Sequence, residues 1–246
     1  MPTDLGRVEN LFIKVRRGQA MVKCNALACS SGLGIDGDIH ANRLSPRQIL
    51  ITLQAQLDAL ALAPGALFEN MVISLADPQH FRPGTAIVTD GGVEIKLTMY
   101  CEPCKRIVPV VRDLRAMLQR RGILGYIVRG GYIRAGDAIN VSAHSYAALP
   151  ESRAEKFRDF VATIPPGKVV RYRDVTIAMG VDDSFMRTLP GHIKRHSGSG
   201  LPVHRIVNAQ GKLLDFMVGQ RDKLMLEGVN VDACGAVDLK YVLWQG

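Results

Sequence analysis

Ala86-Ile87-Val88-Thr89-Asp90-Gly91-Gly92-Val93-Glu94-Ile95-Lys96-Leu97-Thr98 is a pair of β-branched runs set around an Asp-Gly-Gly turn. Val, Ile and Thr are stiff at χ1 and suit extended chain. Asp-Gly supplies the positive φ that a tight hairpin needs, so the spacing predicts a hairpin over residues 86–98. Working outward, Tyr126-Ile127-Val128 and Ala138-Ile139-Asn140-Val141 read as further short strands, punctuated by Gly130-Gly131 and Gly136-Asp137. Helical interruptions are expected at about residues 46–61 and in a basic stretch at 110–121 that Gly122 terminates. Many short strands with few helices predict a β-barrel up to about Val141.

After a polar junction at about residues 142–150 the texture changes. Phe157, Phe160, Val161 and Ile164 follow the i, i+3, i+4, i+7 spacing of one helix face, and Pro165-Pro166-Gly167 ends it. Residues 173–179 and 184–196 read as two short helices joined by a Gly-containing turn at 180–183, a spacing consistent with helix-turn-helix geometry. Pro190-Gly191 falls inside the second of these, where Pro is expected to kink it. That kink puts the register of His192, Lys194 and Arg195 on a nucleic-acid groove in doubt. The expected organisation is α+β in two domains, a barrel over 1–145 and a small helical domain over 151–246.

Nearly half of the 246 residues are apolar, as in a globular protein. Asp4, Arg7 and Glu9 interrupt any N-terminal apolar signal, and no apolar run reaches the roughly 18 residues of a membrane span. A soluble cytoplasmic protein with no membrane partner is therefore expected. The formal charge of +8 suits a polyanionic partner and equally an ordinary basic protein. Five unevenly spaced cysteines argue for reduced thiols rather than a disulfide framework.

The stretch from about Arg153 to Trp244 resembles the C-terminal domain of the alkylguanine-DNA alkyltransferases, and within them the non-transferring alkyltransferase-like proteins. Ile164-Pro165-Pro166-Gly167-Lys168-Val169-Val170-Arg171-Tyr172, then Pro202-Val203-His204-Arg205-Ile206-Val207-Asn208, Gly211-Lys212-Leu213 and Gln220-Arg221 to Leu226-Glu227-Gly228-Val229 carry the likeness. The resemblance implies a winged helix-turn-helix-like domain that extrudes a base from duplex DNA. It places Tyr172 beside the flipped nucleotide and Arg187 in the gap that the base leaves. His204 and Glu227 match the pair that activates the transferring cysteine, but Val203 stands where that cysteine would be. A hydrocarbon can accept no alkyl group, so recognition without transfer is expected. Arg205 reads as structural. Lys168, Arg171, Arg173, Lys194 and Arg195 are candidates for neutralising phosphates, against the plainer reading of a solvated basic helix that no longer binds DNA.

The stretch from about Asn10 to Val141 resembles the MOSC domain through Gly34-Ile35-Asp36-Gly37-Asp38-Ile39-His40-Ala41, Arg47-Gln48-Ile49, Phe68-Glu69-Asn70, Pro103-Cys104 and Arg129-Gly130-Gly131. The resemblance implies a β-barrel, a link to the molybdenum-pterin cofactor, and a reactive, persulfide-carrying sulfur at Cys104. Cations at Lys105 and Arg106 would favour a thiolate there. His40, Arg47, Arg106 and Arg129 would supply donors to an anionic ligand, with Asp38, Glu69 and Asn70 bracing them. The alternatives are an inert buried cysteine, a four-thiolate zinc site from Cys24, Cys29, Cys101 and Cys104, and a Cys101–Cys104 redox pair.

Two functions from different classes follow. One is recognition of an alkylguanine-type lesion in DNA, flagged to repair-pathway proteins. The other is an enzyme in which Cys104, with a persulfide or the molybdenum cofactor, acts on a modified base delivered by its neighbour. A scaffold with both sites vestigial is the third.

Overall fold

The structure is a computed structural model that describes residues 3–142 and 146–246; residues 143–145, the middle of the expected polar junction, lie outside them. The chain divides into two compact units, Met1–Leu149 and Pro150–Gly246.

Among the described residues the first unit holds eleven strands: β1 (Thr3–Ile13), β2 (Val22–Cys24), β3 (Ala26–Ser30), β4 (Gly34–Ile35), β5 (Ile49–Leu53), β6 (Met71–Leu75), β7 (Ala86–Thr89), β8 (Glu94–Tyr100), β9 (Ile123–Arg129), β10 (Gly131–Arg134) and β11 (Ala138–Ser142). Seven of them, in the order β11-β7-β8-β9-β5-β6-β1, close into a barrel because β1 pairs with both β6 and β11. β7 and β8 form the hairpin read from residues 86–98, with Ile87 opposite Ile95. β5 and β6 run parallel, joined by helix α1 (Gln54–Ala59) and a loop. The other neighbours in the barrel are antiparallel. Closure depends on Gly6, where a Cβ would fall 2.2 Å from the Ser74 carbonyl oxygen. The interior is filled by Val8, Leu11, Ile49, Ile51, Met71, Ile73, Ile87, Ile95, Ile127, Ile139 and Val141. β10, β3 and β4 form a separate small sheet.

Two expected helices are corrected. Residues 49–53 form β5 rather than the first turns of a helix. All five are buried, so Ile-Leu-Ile-Thr-Leu lacks the alternation that marks a half-exposed strand. Residues 110–121 hold no α-helix. Ile107, Val111, Leu114 and Met117 have helical spacing and face the core formed by Phe12, Leu57, Leu67 and Val72. Pro109 nonetheless has no N–H to donate to a continuing helix, and 3-10 turns at Lys105–Ile107 and Arg115–Met117 are what form.

The second unit contains α2 (Arg153–Thr163), α3 (Tyr172–Ala178), α4 (Leu189–His196), α5 (Gln220–Leu226) and α6 (Leu239–Val242), with the short parallel pair β12 (Val170–Arg171) and β13 (Ile206–Val207). The Ser152 hydroxyl accepts from the Glu155 N–H to cap α2, and Phe157, Val161 and the following Ile164 enter a core with Val170, Val175, Leu189, Val203 and Leu214. The third expected helix is also corrected. Asp183–Thr188 is a 3-10 turn and α4 starts only at Leu189, which puts Pro190 in the first turn. The first N–H groups of a helix have no internal partner, so Pro190 breaks nothing there and no kink is needed.

Candidate functional sites

At one end of the barrel, Cys101 follows β8 and its N–H donates to the Gly122 carbonyl (2.9 Å), just before β9. Gly122 has φ +110°, and a Cβ there would fall 2.4 Å from the Ile51 carbonyl oxygen. This turn buries the preceding residue, Arg121, to 5% exposure. The Arg121 Nη1 donates to the Glu102 carbonyl (2.8 Å) and to Cys104 Sγ (3.1 Å), while Nη2 reaches the Leu67 carbonyl (3.4 Å). Arg121 Nε is buried with no hydrogen-bond partner. The nearby Glu69 carboxylate is taken up by the backbone N–H groups of Gly65 and Leu67, and burial pushes its pKa up despite those bonds and the Arg121 charge.

Lys105 and Arg106 are exposed on the 3-10 turn beyond Cys104, and the cation in contact with the sulfur is Arg121. Sequence spacing missed this residue, since 17 positions separate the two. Arg47 lies close enough to Cys101 to act on its thiol electrostatically. Burial drives the Cys101 thiol pKa up, and burial together with Asp36 carries Cys29 up to about 12. Neither is a nucleophile at neutral pH. Among the described residues no group of three or more His, Cys, Asp or Glu side chains could hold a metal, so Cys24, Cys29, Cys101 and Cys104 do not assemble as a zinc set.

His40 is held by Asp38, whose Oδ1 meets both its backbone N–H (2.8 Å) and its Nδ1 (2.9 Å). Asp38 Oδ2 accepts from the Lys14 N–H and from Asn70 Nδ2. Burial raises the Asp38 pKa, but the bonds from His40 and Lys14 outweigh it and leave the carboxyl below its usual range. Asn70 Oδ1 in turn accepts from the Leu50 N–H (3.0 Å), and Leu50 packs on Cys101. Arg129 is not part of this corner. It pairs with Glu94 at the far end of the β8–β9 ladder from the Tyr100–Ile123 pair, a strand length of about 20 Å. Its Nε donates to the Gly92 carbonyl and its Nη2 meets Glu94.

In the second unit, Val203 opens a 3-10 turn after Pro202 and is 1% exposed, part of a core against which the half-buried Tyr172, Leu201 and Phe216 also pack. Around it lies a closed charge network. His204 Nε2 meets Glu227 Oε1 at 2.7 Å. Arg205 grips the same carboxylate with Nη2 on Oε1 (2.7 Å) and Nε on Oε2 (3.0 Å), and its Nη1 donates to the Ile164 carbonyl. The Gly167 N–H also donates to Glu227 Oε2 (3.1 Å). Desolvation raises the Glu227 pKa, but the bonds from Arg205, His204 and Gly167 overcome it and set the value at about 2. Gln220, which lies in a matching segment but has no role assigned from the sequence, is 2% exposed and pins the turn by donating to the His204 and Ile206 carbonyls while accepting from the Leu214 N–H.

The candidate base- and phosphate-contacting residues differ in how free they are to bind. Arg187 is exposed, on the 3-10 turn before α4 rather than on a helix. Lys194 and Arg195 are exposed in the last turn of α4, with Lys194 Nζ 5.0 Å from the Phe216 ring centre. Arg171 is occupied as the cap of α3, its Nε and Nη2 donating to Asp174 (2.8 and 2.9 Å). His192 faces inward, between the rings of Phe157 and Phe185, so it reads no groove. Desolvation, Arg195 and His196 all lower its pKa.

Residues 39–140 match the family model of the MOSC domain. Over 98 residues the chain is 36% identical to a protein of Escherichia coli (strain K12) named DNA base-flipping protein, a match spanning 38% of this chain and 75% of that relative. The chain belongs to that protein's family and carries a MOSC domain. The MOSC match contains His40, Arg47, Cys104, Arg121 and Arg129. The solved structure of the YUAD protein from Bacillus subtilis, 22% identical, covers 59% of this chain and 99% of its own with a TM-score of 0.51, and shows the fold alone. Schizosaccharomyces pombe Atl1, solved with damaged DNA containing O6-carboxymethylguanine, is 26% identical over 40% of this chain and 99% of its own, at a TM-score of 0.35. Among the described residues no helix is long and apolar enough to cross a membrane.

Proposed function

We propose that the second unit, over residues 151–246, is an alkyltransferase-like module that recognises a damaged base in DNA without accepting its alkyl group. The observation that carries this is the intact His204–Glu227 pair beside a buried Val203, which has no atom able to form a bond to an alkyl carbon. The relative named for base flipping supports it. Val203 is out of solvent, so an extruded base reaches it only after the packing around it gives way. Tyr172 would meet the flipped nucleotide and Arg187 would fill the vacated stack, where a flat guanidinium can both stack and donate. Burial raises the Tyr172 pKa, so its phenol stays protonated and can donate to a phosphate at neutral pH. Repair-pathway proteins would read the resulting complex.

The test is titration of duplexes with and without O6-alkylguanine, with intact-mass analysis of the protein afterwards. Tighter binding of the modified duplex and an unchanged protein mass are expected. Equal affinities, or a mass increase of one alkyl group, would overturn the proposal.

The Arg121–Cys104 contact favours a second role for the MOSC domain, chemistry at the Cys104 sulfur. The donor set fits the molybdenum-pterin cofactor of that family, with a sulfur to ligate metal and a buried guanidinium whose Nε lacks a partner. When bound, such a group supplies redox chemistry at a metal. Arg121 holds Sγ in place with a donor from its guanidinium, and Arg47 adds positive charge beside Cys101. The same donor set suits a Cys104 persulfide. Intact mass and metal content of protein from a cofactor-competent host, against Cys104→Ala, decide it. Finding neither a persulfide nor a Cys104-dependent metal would refute this role.

A further inference from the structure

The first unit carries 17 Lys and Arg against 12 Asp and Glu, and this excess is concentrated in one place. Residues 105–121 hold six cations (Lys105, Arg106, Arg112, Arg115, Arg120 and Arg121) and one acid, Asp113. The rest of the unit, with eleven of each sign, is neutral. Arg121 is buried on Cys104, and that contact closes residues 104–121 into a loop whose ends meet at the sulfur. The other five cations are exposed. Asp113 offers them little, because its carboxylate accepts from the Arg115 backbone N–H (2.8 Å). Among the described residues none of the five is held in an ion pair with an acidic side chain.

We propose that this loop is a binding surface for the sugar–phosphate backbone of a nucleic acid, so that the barrel itself holds the polymer next to Cys104. The loop's apolar face, Ile107, Val111, Leu114 and Met117, is turned onto the core, which leaves a cationic outer face. Four of its five exposed cations are arginines, whose planar fork matches phosphate oxygens. An anionic lipid surface fits less well. The loop has no Trp, Tyr or Phe to anchor at an interface, and its exposed aliphatics are the scattered Val108, Val110 and Leu118. This surface is independent of the base recognition proposed for the second unit.

The experiment uses the full chain with Arg112→Gln, Arg115→Gln and Arg120→Gln combined, three exposed positions where substitution should leave the melting temperature unchanged. Binding of modified and unmodified duplexes is titrated from about 50 to 200 mM salt. Each phosphate no longer neutralised by an arginine lowers the slope of log K on log salt by roughly 0.9, so a fall of about 2–3 is expected, with affinity about 10- to 100-fold weaker near 150 mM. Both duplexes weaken together and their affinity ratio is retained. Arg187→Ala instead removes the ratio and leaves most of the slope, so failure of base recognition is seen separately. Unchanged slope and affinity in the triple variant overturn the proposal. So does loss of binding to phosphatidylglycerol vesicles with nucleic-acid binding intact.

Discussion

Each unit places an arginine at the centre of its candidate site, and the two are used in opposite ways. Arg205 in the second unit meets a carboxylate that also holds His204, so its charge is neutralised within a closed network, and the residue beside that network is the hydrocarbon Val203. Arg121 in the barrel is more deeply buried, yet its donors go to two carbonyls and to the Cys104 sulfur, while the nearby Glu69 carboxylate is occupied by backbone N–H groups. A closed network builds a rigid wall. A guanidinium aimed at sulfur leaves a charge for that sulfur, or a ligand on it, to complement. The proposed functions follow this contrast, with holding in one unit and chemistry in the other.

The largest expected effect tests the closed network. Glu227→Ala strands Arg205 and His204 in a half-buried setting, and unfolding of the second unit in denaturant should show a loss of about 3 kcal/mol. A loss below about 1 kcal/mol would mean that the network is not closed. The same carboxyl sets an acid limit. Its folded pKa of about 2 lies below the usual 4.5, so its stabilisation is complete above about pH 4.5 and drains away as pH falls towards 2. Glu227→Gln should flatten the stability profile in that window, and a profile identical to that of the native chain would contradict the assignment.

Val203→Ala, a smaller change, removes two methyl groups from a packed position and should cost about 2 kcal/mol. A cost near zero would show the Val203 site to be loosely packed and already open to a base. The smallest effect probes the other arginine. In a Cys234→Ser background, which removes the exposed competing thiol, Arg121→Gln should slow alkylation of Cys104 by iodoacetamide about tenfold at neutral pH. Arg121→Lys should recover part of the rate, since lysine can keep a cationic donor beside the reacting sulfur. Equal rates in all three proteins, followed by mass spectrometry, would remove Arg121 from the site.

What the sequence discloses about this protein is local. The hairpin at residues 86–98 is legible because strand propensity and turn chemistry agree within thirteen residues. β5 is not, because a strand covered on both faces has no alternation to read. The stretch at 107–117 shows true helical spacing of buried residues, but one proline outweighs it. The second site follows the same rule. Val203, His204 and Glu227 stand out through a motif, whereas Gln220 acts through backbone carbonyls that only the folded chain brings together. Arg121 was hidden for the same reason, while Arg129, within a recognisable motif, lies at the wrong end of its strand. His192, polar and next to basic neighbours, is drawn inward by two phenylalanines.

The double pairing of β1 has a consequence for synthesis on the ribosome. The strand that begins at Thr3 is completed on one side only by β11, which ends at Ser142. At roughly 5–20 residues per second, on the order of 10 s passes between the emergence of the two. During that time the nascent barrel is an open sheet with unpaired edges, and the parallel β5–β6 contact adds a further long-range step. A helper that shields exposed strand edges would therefore act on this chain before Ser142 leaves the exit tunnel, and would have little to bind afterwards.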